Sequence, residues 1–144
     1  MSSKWRPALI IGCLLLLTAC GISPPSSTGE QTPAAVESAY HTITAEEAKA
    51  MMDDGGVTIV DVRRADEFAD KHIPGAILVP NEEIGDTQPE ALPDLSATLI
   101  VYCRTGVRSK QASDKLVEMG FENVYDMGGI VDWPYDTERG EAVP

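Results

Sequence analysis

From Tyr40 onward, short apolar runs alternate with stretches of helical periodicity. The runs at 57–62 (VTIVDV) and 98–103 (TLIVYC) are almost continuously apolar, which is typical of strands buried on both faces of a parallel sheet. Shorter strands are predicted at 76–79 and around 123–126. Strands that alternate with helices over about 100 residues predict an α/β domain with a mainly parallel sheet.

Helix signals lie between these strands. Thr44 and Glu47 have the spacing of a capping box, ahead of a helix that we expect to end at the Gly55–Gly56 pair. A second, short helix is predicted at 64–71. Residues 81–96 carry three acidic residues in their first six and two prolines further on, so a helix followed by a loop is expected there.

A longer helix is predicted after the run at 98–103. Its inward stripe recurs at spacings of four and three, at Ala112, Leu116 and Met119. Gly120 is expected to end this helix, with Phe121 as the hydrophobic cap contact. A Gly128–Gly129 turn and a short helical segment through Trp133 complete the predicted domain.

The first residues are typical of an export signal. Lys4 and Arg6 precede an apolar run at 8–17, which is too short to span a bilayer comfortably. An uncleaved membrane anchor is the alternative. The sequence at 17–20 (LTAC) resembles the lipobox of bacterial lipoproteins, which implies a signal peptide at 1–19 and a lipid on Cys20.

The segment at 20–38 is rich in Pro, Ser, Thr and Gly, and predicts a flexible tether behind the lipidated cysteine. We therefore expect an extracytoplasmic domain, from residue 39 to 144, held at a bacterial membrane by its lipid. Gly21 is compatible with the outer membrane, but the sequence leaves the choice between outer and cytoplasmic membrane open.

Composition narrows the function. A chain of 144 residues, 43% hydrophobic and 24% charged, has room for one globular domain. Eleven basic residues against 23 acidic ones give a net charge of -12, which disfavours nucleic acid and anionic lipid as partners. Three cysteines, at positions 13, 20 and 103, are too few for a disulfide scaffold or a Cys-rich zinc site, so no metal is expected.

Cys103 is the candidate nucleophile. It ends the second buried run, and chemistry in α/β sheets lies beyond the carboxyl ends of strands. Arg104 and Arg108 flank a glycine, Gly106, and a helix is expected to start within a few residues. A tight loop closing on a helix N-terminus binds anions, and the same field favours the thiolate over the thiol. The alternative is an inert buried cysteine.

Other polar residues admit two interpretations each. The two loop arginines are either anion ligands or solvated charges, and Ser109 is either part of the site or a helix cap. His72 and His41 are interpreted as structural rather than catalytic. Asp61 and Arg63, at the end of the first buried run, either support the loop or form a mutual or surface ion pair.

These motifs together resemble a single-domain rhodanese, a sulfurtransferase. The resemblance rests on VDVR at 60–63, EF at 67–68, HIPGA at 72–76, CRTGVRS at 103–109 and MGGIVDW at 127–133. It implies a rhodanese-like fold, with five mainly parallel strands flanked by helices in a single domain. It further implies that Cys103 carries a sulfane sulfur and that Asp61 and Arg63 support the site. The substrate-binding candidates are Arg104, Thr105, Gly106, Val107, Arg108 and Ser109.

The resemblance implies transfer of sulfur from thiosulfate or a persulfide to cyanide or a thiol, through a Cys103 persulfide. It requires neither a metal nor an organic cofactor. The expected partners are a small anionic donor, a thiol or cyanide acceptor and a protein acceptor, with the chain itself a monomer.

Three alternatives remain open. The first is a phosphatase or arsenate reductase, whose active-site loop resembles this one. Those enzymes place five residues between cysteine and arginine, whereas four residues separate Cys103 from Arg108 here. A binding or persulfide-carrier module is the second alternative. A redox sensor that forms mixed disulfides through its lone thiol is the third.

Overall fold

The computed structural model describes residues 38 to 141. The predicted signal peptide at 1–19, the predicted lipid on Cys20 and all of the tether before residue 38 lie outside the described residues, as do residues 142 to 144. Between residues 38 and 141, no helix is long and apolar enough to cross a membrane.

Between residues 38 and 141 the chain forms five strands and three helices. The strands are β1 (Tyr40–Thr42), β2 (Val57–Asp61), β3 (Ile77–Leu78), β4 (Thr98–Cys103) and β5 (Asn123–Gly129). The helices are α1 (Ala45–Asp54), α2 (Ala65–Asp70) and α3 (Val107–Glu118), with a 3-10 turn at Ile130–Asp132. All strand pairs are parallel, in the order β1-β5-β4-β2-β3, which confirms the predicted fold class.

β4 lies at the centre of the sheet, and its side chains alternate between two cores. Leu99, Val101 and Cys103 pack in the core that includes residues of α3. Ile100 and Tyr102 face the core that includes residues of α1. Because successive side chains of a strand point to opposite faces, this alternation places the Cys103 side chain on the α3 face, at the carboxyl edge of the sheet.

The predicted capping box of α1 is confirmed. The Thr44 hydroxyl accepts the Glu47 N–H at 3.2 Å, and the Thr44 N–H donates to the Glu47 carboxylate at 2.8 Å. The helix ends at Asp54, and Gly55 follows it with a positive φ, as the glycine pair predicts.

α3 begins and ends where its pattern predicts, but its buried face is more polar than expected. Ala112 and Leu116 are fully buried and Met119 is half-buried. The Phe121 N–H donates to the Leu116 carbonyl at 3.1 Å beyond the last turn, which closes the helix end. Two serines, Ser109 and Ser113, share this buried face, and a hydrophobic pattern does not detect them.

The helix predicted within 81–96 is wrong. The chain there runs as turns. At its start the Asn81 N–H donates to the Val62 carbonyl at 3.0 Å and the Glu83 N–H to the Pro80 carbonyl at 2.8 Å, and further on prolines at 89 and 93 remove amide donors. The Leu92 N–H donates to the Pro89 carbonyl at 2.9 Å instead. Ile84 and Leu92 are buried in the α3-side core, and they anchor the segment to it.

The glycine pair at 128–129 is part of β5 rather than a turn after it. The pairing of β5 with β4 shifts by one residue, so that Tyr102 lies opposite Gly128 and Cys103 opposite Gly129. Gly128 takes a positive φ of 85° at this bulge. The strand therefore continues alongside Cys103 instead of ending before it.

The two buried serines of α3 should respond oppositely to alanine. Among the described residues, Ser113 Oγ is buried without a hydrogen-bond partner, so Ser113→Ala removes an unsatisfied polar group and adds helix propensity. We expect the free energy of unfolding to rise by about 0.5 to 1 kcal/mol. The matched variant Ser109→Ala removes a hydroxyl whose proton is hydrogen-bonded to backbone carbonyl oxygen, and should lower the free energy of unfolding by about 1 kcal/mol. Urea unfolding measures both, and a loss of stability in Ser113→Ala would contradict the expectation.

Candidate active site

Cys103 is the last residue of the central strand, and its side chain is buried. Its exposed fraction is 1%, and its Sγ accepts a hydrogen bond from the Gly106 N–H at 3.1 Å. An amide that donates to sulfur places positive potential beside it. The thiol therefore lies at the base of the tight loop that the sequence predicts, with a main-chain donor already directed at it.

The loop passes from β4 into α3 through Arg104, Thr105 and Gly106. Gly106 is the N-cap residue of α3, and its φ of 100° lies in the left-handed region that favours glycine. The helix N-terminus meets the loop here, and its first amides have no partners within the helix. Such a terminus favours a bound anion through its free N–H groups and its dipole.

Arg108 is held by a carboxylate from another element. Its two terminal nitrogens donate to the two oxygens of Glu67, at 2.7 and 2.9 Å. The hydrogen bonds from Arg108 hold the pKa of Glu67 at about 2, well below its usual range. This bidentate contact fixes the end of the loop to α2 and neutralises most of the Arg108 charge.

Arg104 has a different environment. Its side chain is exposed and, between residues 38 and 141, enters no ion pair. Its carbonyl accepts the Val131 N–H at 3.3 Å, which ties the loop to the 3-10 turn after β5. Arg104 and Arg108 look equivalent in the sequence. In the structure, Arg108 is paired with Glu67, whereas the Arg104 guanidinium has no ion-pair partner among residues 38 to 141.

Ser109 stabilises the loop from below. Its hydroxyl, fully buried, lies 3.0 Å from the Gly106 carbonyl oxygen and 3.3 Å from the Gly128 carbonyl oxygen, and its one proton can be donated to either. It is therefore not the helix cap. Thr105 and Val107 are exposed at the mouth of the loop, with Val107 66% exposed.

Asp61 and Arg63 form an ion pair with each other, and the pair is buried rather than on the surface. Arg63 Nη2 lies 2.6 Å from Asp61 Oδ2 and donates at 2.6 Å to the Lys71 carbonyl. Asp61 has no exposed surface, and Arg63 is 4% exposed. The pair connects the end of β2 to the end of α2, and Arg63 also borders a cavity next to the loop.

The neighbouring Tyr102 hydroxyl accepts the Ile73 N–H at 3.1 Å. Burial and the nearby Asp61 carboxylate raise the pKa of Tyr102, so its hydroxyl stays protonated. This contact fastens the turn that follows His72 to the strand that carries Cys103.

Both histidines stack on an aromatic ring. His72 Nδ1 lies 2.8 Å from the Phe68 carbonyl oxygen, and its ring stacks on the Phe68 ring at 3.8 Å. His41 stacks on Tyr125 at 4.7 Å. Between residues 38 and 141, no three His, Cys, Asp or Glu side chains converge as metal ligands.

Glu67 and Gly129 were not among the predicted site residues. Glu67 lies within the EF motif, but nothing local indicates its partner 41 residues away. A Cβ on Gly129 would lie 2.5 Å from the Arg104 carbonyl oxygen and 2.8 Å from the Thr105 Cα. Only a glycine lets β5 approach the loop this closely.

Acid should weaken the contribution of Glu67 to stability. A carboxylate with a lowered pKa stabilises the folded state above the ordinary pKa of about 4.5, and this stabilisation is lost as the pH falls toward 2. Glu67→Gln should therefore lower the free energy of unfolding most at pH 6 to 7, and the deficit should shrink between about pH 5 and pH 3. Urea titrations across this range measure it.

Asp66→Asn is the matched control on the same helix, because the Asp66 carboxylate is 71% exposed in a surface pair. We expect it to leave the free energy of unfolding nearly unchanged. A Glu67→Gln deficit that stayed constant from pH 7 to pH 3 would contradict the assigned role of the pair.

Gly129→Ala should displace the loop and change the reactivity of the thiol. The added methyl group clashes with the Arg104 and Thr105 backbone, while the φ of Gly129 is one that alanine adopts readily. We expect the rate of Cys103 alkylation by iodoacetamide to change by about tenfold or more, by analogy with other small displacements of reacting groups. Gly85→Ala, where the added Cβ meets open space, is the control. Equal alkylation rates in both variants and the parent would contradict the close-approach argument.

Comparison with known proteins identifies the family of the chain. A family model described as the rhodanese-like domain matches residues 44–135. The chain is 38% identical over 73 residues to the thiosulfate sulfurtransferase PspE of Escherichia coli (strain K12), which covers 51% of this chain and 70% of that protein. It is 34% identical over 108 residues to the thiosulfate sulfurtransferase GlpE of Pseudomonas aeruginosa (strain LESB58). The aligned region covers 72% of this chain and 96% of GlpE.

A solved structure described as a rhodanese with anions from E. coli matches with a TM-score of 0.53 at 35% identity, over 58% of this chain and 98% of that chain. The family model spans more than half of the sequence, and it includes Cys103, the loop and Glu67. The chain therefore belongs to the family of rhodanese-like domains.

Proposed function

We propose that the protein is a sulfurtransferase that moves a sulfane sulfur from thiosulfate or a persulfide donor to cyanide or a thiol, through a persulfide on Cys103. The observation that carries the proposal is the Gly106 N–H directed at Cys103 Sγ, where the central strand meets the N-terminus of α3. The two relatives named as thiosulfate sulfurtransferases support the same reaction class.

In the first half-reaction, the Cys103 thiolate attacks the outer sulfur of thiosulfate. A bond forms between the two sulfurs, the sulfur–sulfur bond within thiosulfate breaks, and its electron pair leaves with sulfite. The Gly106 amide and the helix N-terminus stabilise the negative charge on the persulfide. Arg104 attracts the anionic donor to the loop mouth, since its guanidinium has no carboxylate partner in the described part of the chain.

In the second half-reaction, an acceptor nucleophile attacks the outer sulfur of the persulfide. Its new bond to sulfur replaces the bond to Cys103 Sγ, and the electron pair returns to Cys103 as thiolate. Arg108 acts indirectly in both steps, by positioning the loop. Because Glu67 binds both terminal nitrogens of Arg108, the Arg108 side chain holds the end of the loop in place and has no free charge for a ligand.

Phosphate-ester hydrolysis is the nearest competing chemistry, and loop length distinguishes it. Four residues separate Cys103 from Arg108, and α3 already begins within them, at Val107. The ring of amides is correspondingly small, and it suits a single sulfur atom better than a tetrahedral phosphoryl group.

Mass spectrometry of the full chain tests the proposal. After incubation with thiosulfate, the proteolytic peptide that contains Cys103 should gain one sulfur atom, and added cyanide should remove it as thiocyanate. Cys103→Ser should gain none at this position, whereas Lys49→Gln, on the opposite face of the sheet, should load as the parent does. Absence of the added sulfur with every donor, or faster hydrolysis of an aryl phosphate than sulfur transfer, would overturn the proposal.

A further inference from the structure

A cavity of about 310 Å³ lies beside the Cys103 loop. One wall is Arg104, the residue that follows the thiol, and another is Glu67, which binds Arg108 at the end of the loop. Lys71 and Asp70 border it from the end of α2, and Ile130 and Val131 from the turn after β5. Its volume is at the lower end of the range of small-molecule sites, and thiosulfate alone, with five heavy atoms, would leave most of it empty.

The charges around this cavity do not cancel. Arg63 is paired with Asp61, and Glu67 with Arg108, so these four groups contribute little net charge. Arg104 and Lys71 are both exposed and, among residues 38 to 141, neither side chain has an ion-pair partner. With Asp70 as the one opposing carboxylate of the lining, the cavity keeps a net positive charge in a chain whose formal charge is -12.

The cavity also has an apolar side. Val131 is 58% exposed, and its N–H is bonded to the Arg104 carbonyl, so the valine and the arginine border the same opening. Ile130, which is 3% exposed, also lines the cavity. An inorganic anion such as sulfite gains nothing from a hydrocarbon wall, whereas a ligand with a short carbon chain and an anionic end matches both features.

We propose that this cavity is the acceptor subsite, and that Arg104 and Lys71 select a small thiol that carries a carboxylate. This inference rests on the proposed sulfur transfer and names the acceptor class for it. The carboxylate lies between the two cations, the carbon chain lies against Ile130 and Val131, and the thiol reaches the loop.

The transfer itself is balanced without an added oxidant. The Cys103 persulfide anion first takes up a proton from solvent. The acceptor thiolate then attacks its outer sulfur, and a sulfur–sulfur bond forms on the acceptor. The bond between the outer sulfur and Cys103 Sγ breaks, and its electron pair stays on Cys103 as thiolate. The proton stays with the transferred sulfur, so the product is the acceptor's hydropersulfide.

The test uses the full chain, loaded with sulfur by thiosulfate, and measures its discharge in single turnovers. Two acceptors are compared, 3-mercaptopropionate with a carboxylate and 2-mercaptoethanol without one, and each rate is expressed per thiolate. For each variant, the rate with 3-mercaptopropionate is divided by the rate with 2-mercaptoethanol. Comparing this ratio with that of the parent removes the difference in intrinsic reactivity between the two thiols. We expect Lys71→Gln and Arg104→Gln each to lower this ratio about five- to tenfold.

Asp70→Asn is the matched control, because it removes a charge of the opposite sign from the same lining. It should leave the ratio unchanged or raise it. Lys49→Gln, which removes a lysine from α1 on the other face of the sheet, should leave the ratio unchanged.

Two outcomes separate this inference from the proposed function. If the persulfide does not form on Cys103, the proposed sulfur transfer fails. If the persulfide forms and cyanide discharges it, but the parent does not prefer 3-mercaptopropionate or the Lys71→Gln and Arg104→Gln ratios equal that of the parent, the acceptor subsite is wrong and the sulfur transfer stands.

Discussion

The domain depends on a very short connection at the carboxyl edge of its sheet. Three residues, Arg104, Thr105 and Gly106, take the chain from the central strand into the first turn of α3. So short a path requires left-handed backbone at Gly106, and it brings the Gly106 amide onto Cys103 Sγ. It also brings the loop backbone so close to β5 that only a glycine fits at position 129. The thiol, the turn and the helix N-terminus therefore form one structural unit.

Local signals predicted most of this unit. The buried run at 98–103 placed Cys103 at a strand end, Gly106 indicated the turn, and the stripe on α3 located the helix, because each depends on neighbours in the chain. Glu67 was missed because its partner, Arg108, is 41 residues away, and the same pairing separates the roles of two arginines that look equivalent in the sequence. The helix expected within 81–96 does not form. The segment contains two prolines, and burial of Ile84 and Leu92 in the core holds it as turns despite its acidic start.

Two carboxylates near the site form ion pairs with arginines of the same chain. Asp61 and Glu67 each bind an arginine in a bidentate contact, one pair inside the domain and the other at the edge of the loop. Such contacts fix the positions of the side chains but leave little charge for a ligand. In this acidic chain, the arrangement separates cations that hold the framework from cations that remain exposed at the cavity.

The depth of the sulfur atom has a consequence for which reagents it meets. A side chain that is 1% exposed is shielded from bulky disulfides, which must come into line with Sγ before exchange. In the proposed sulfur transfer, the added sulfur lengthens the side chain by one sulfur–sulfur bond of about 2.05 Å. The depth of Sγ therefore favours small reactants over bulky ones at the unmodified thiol.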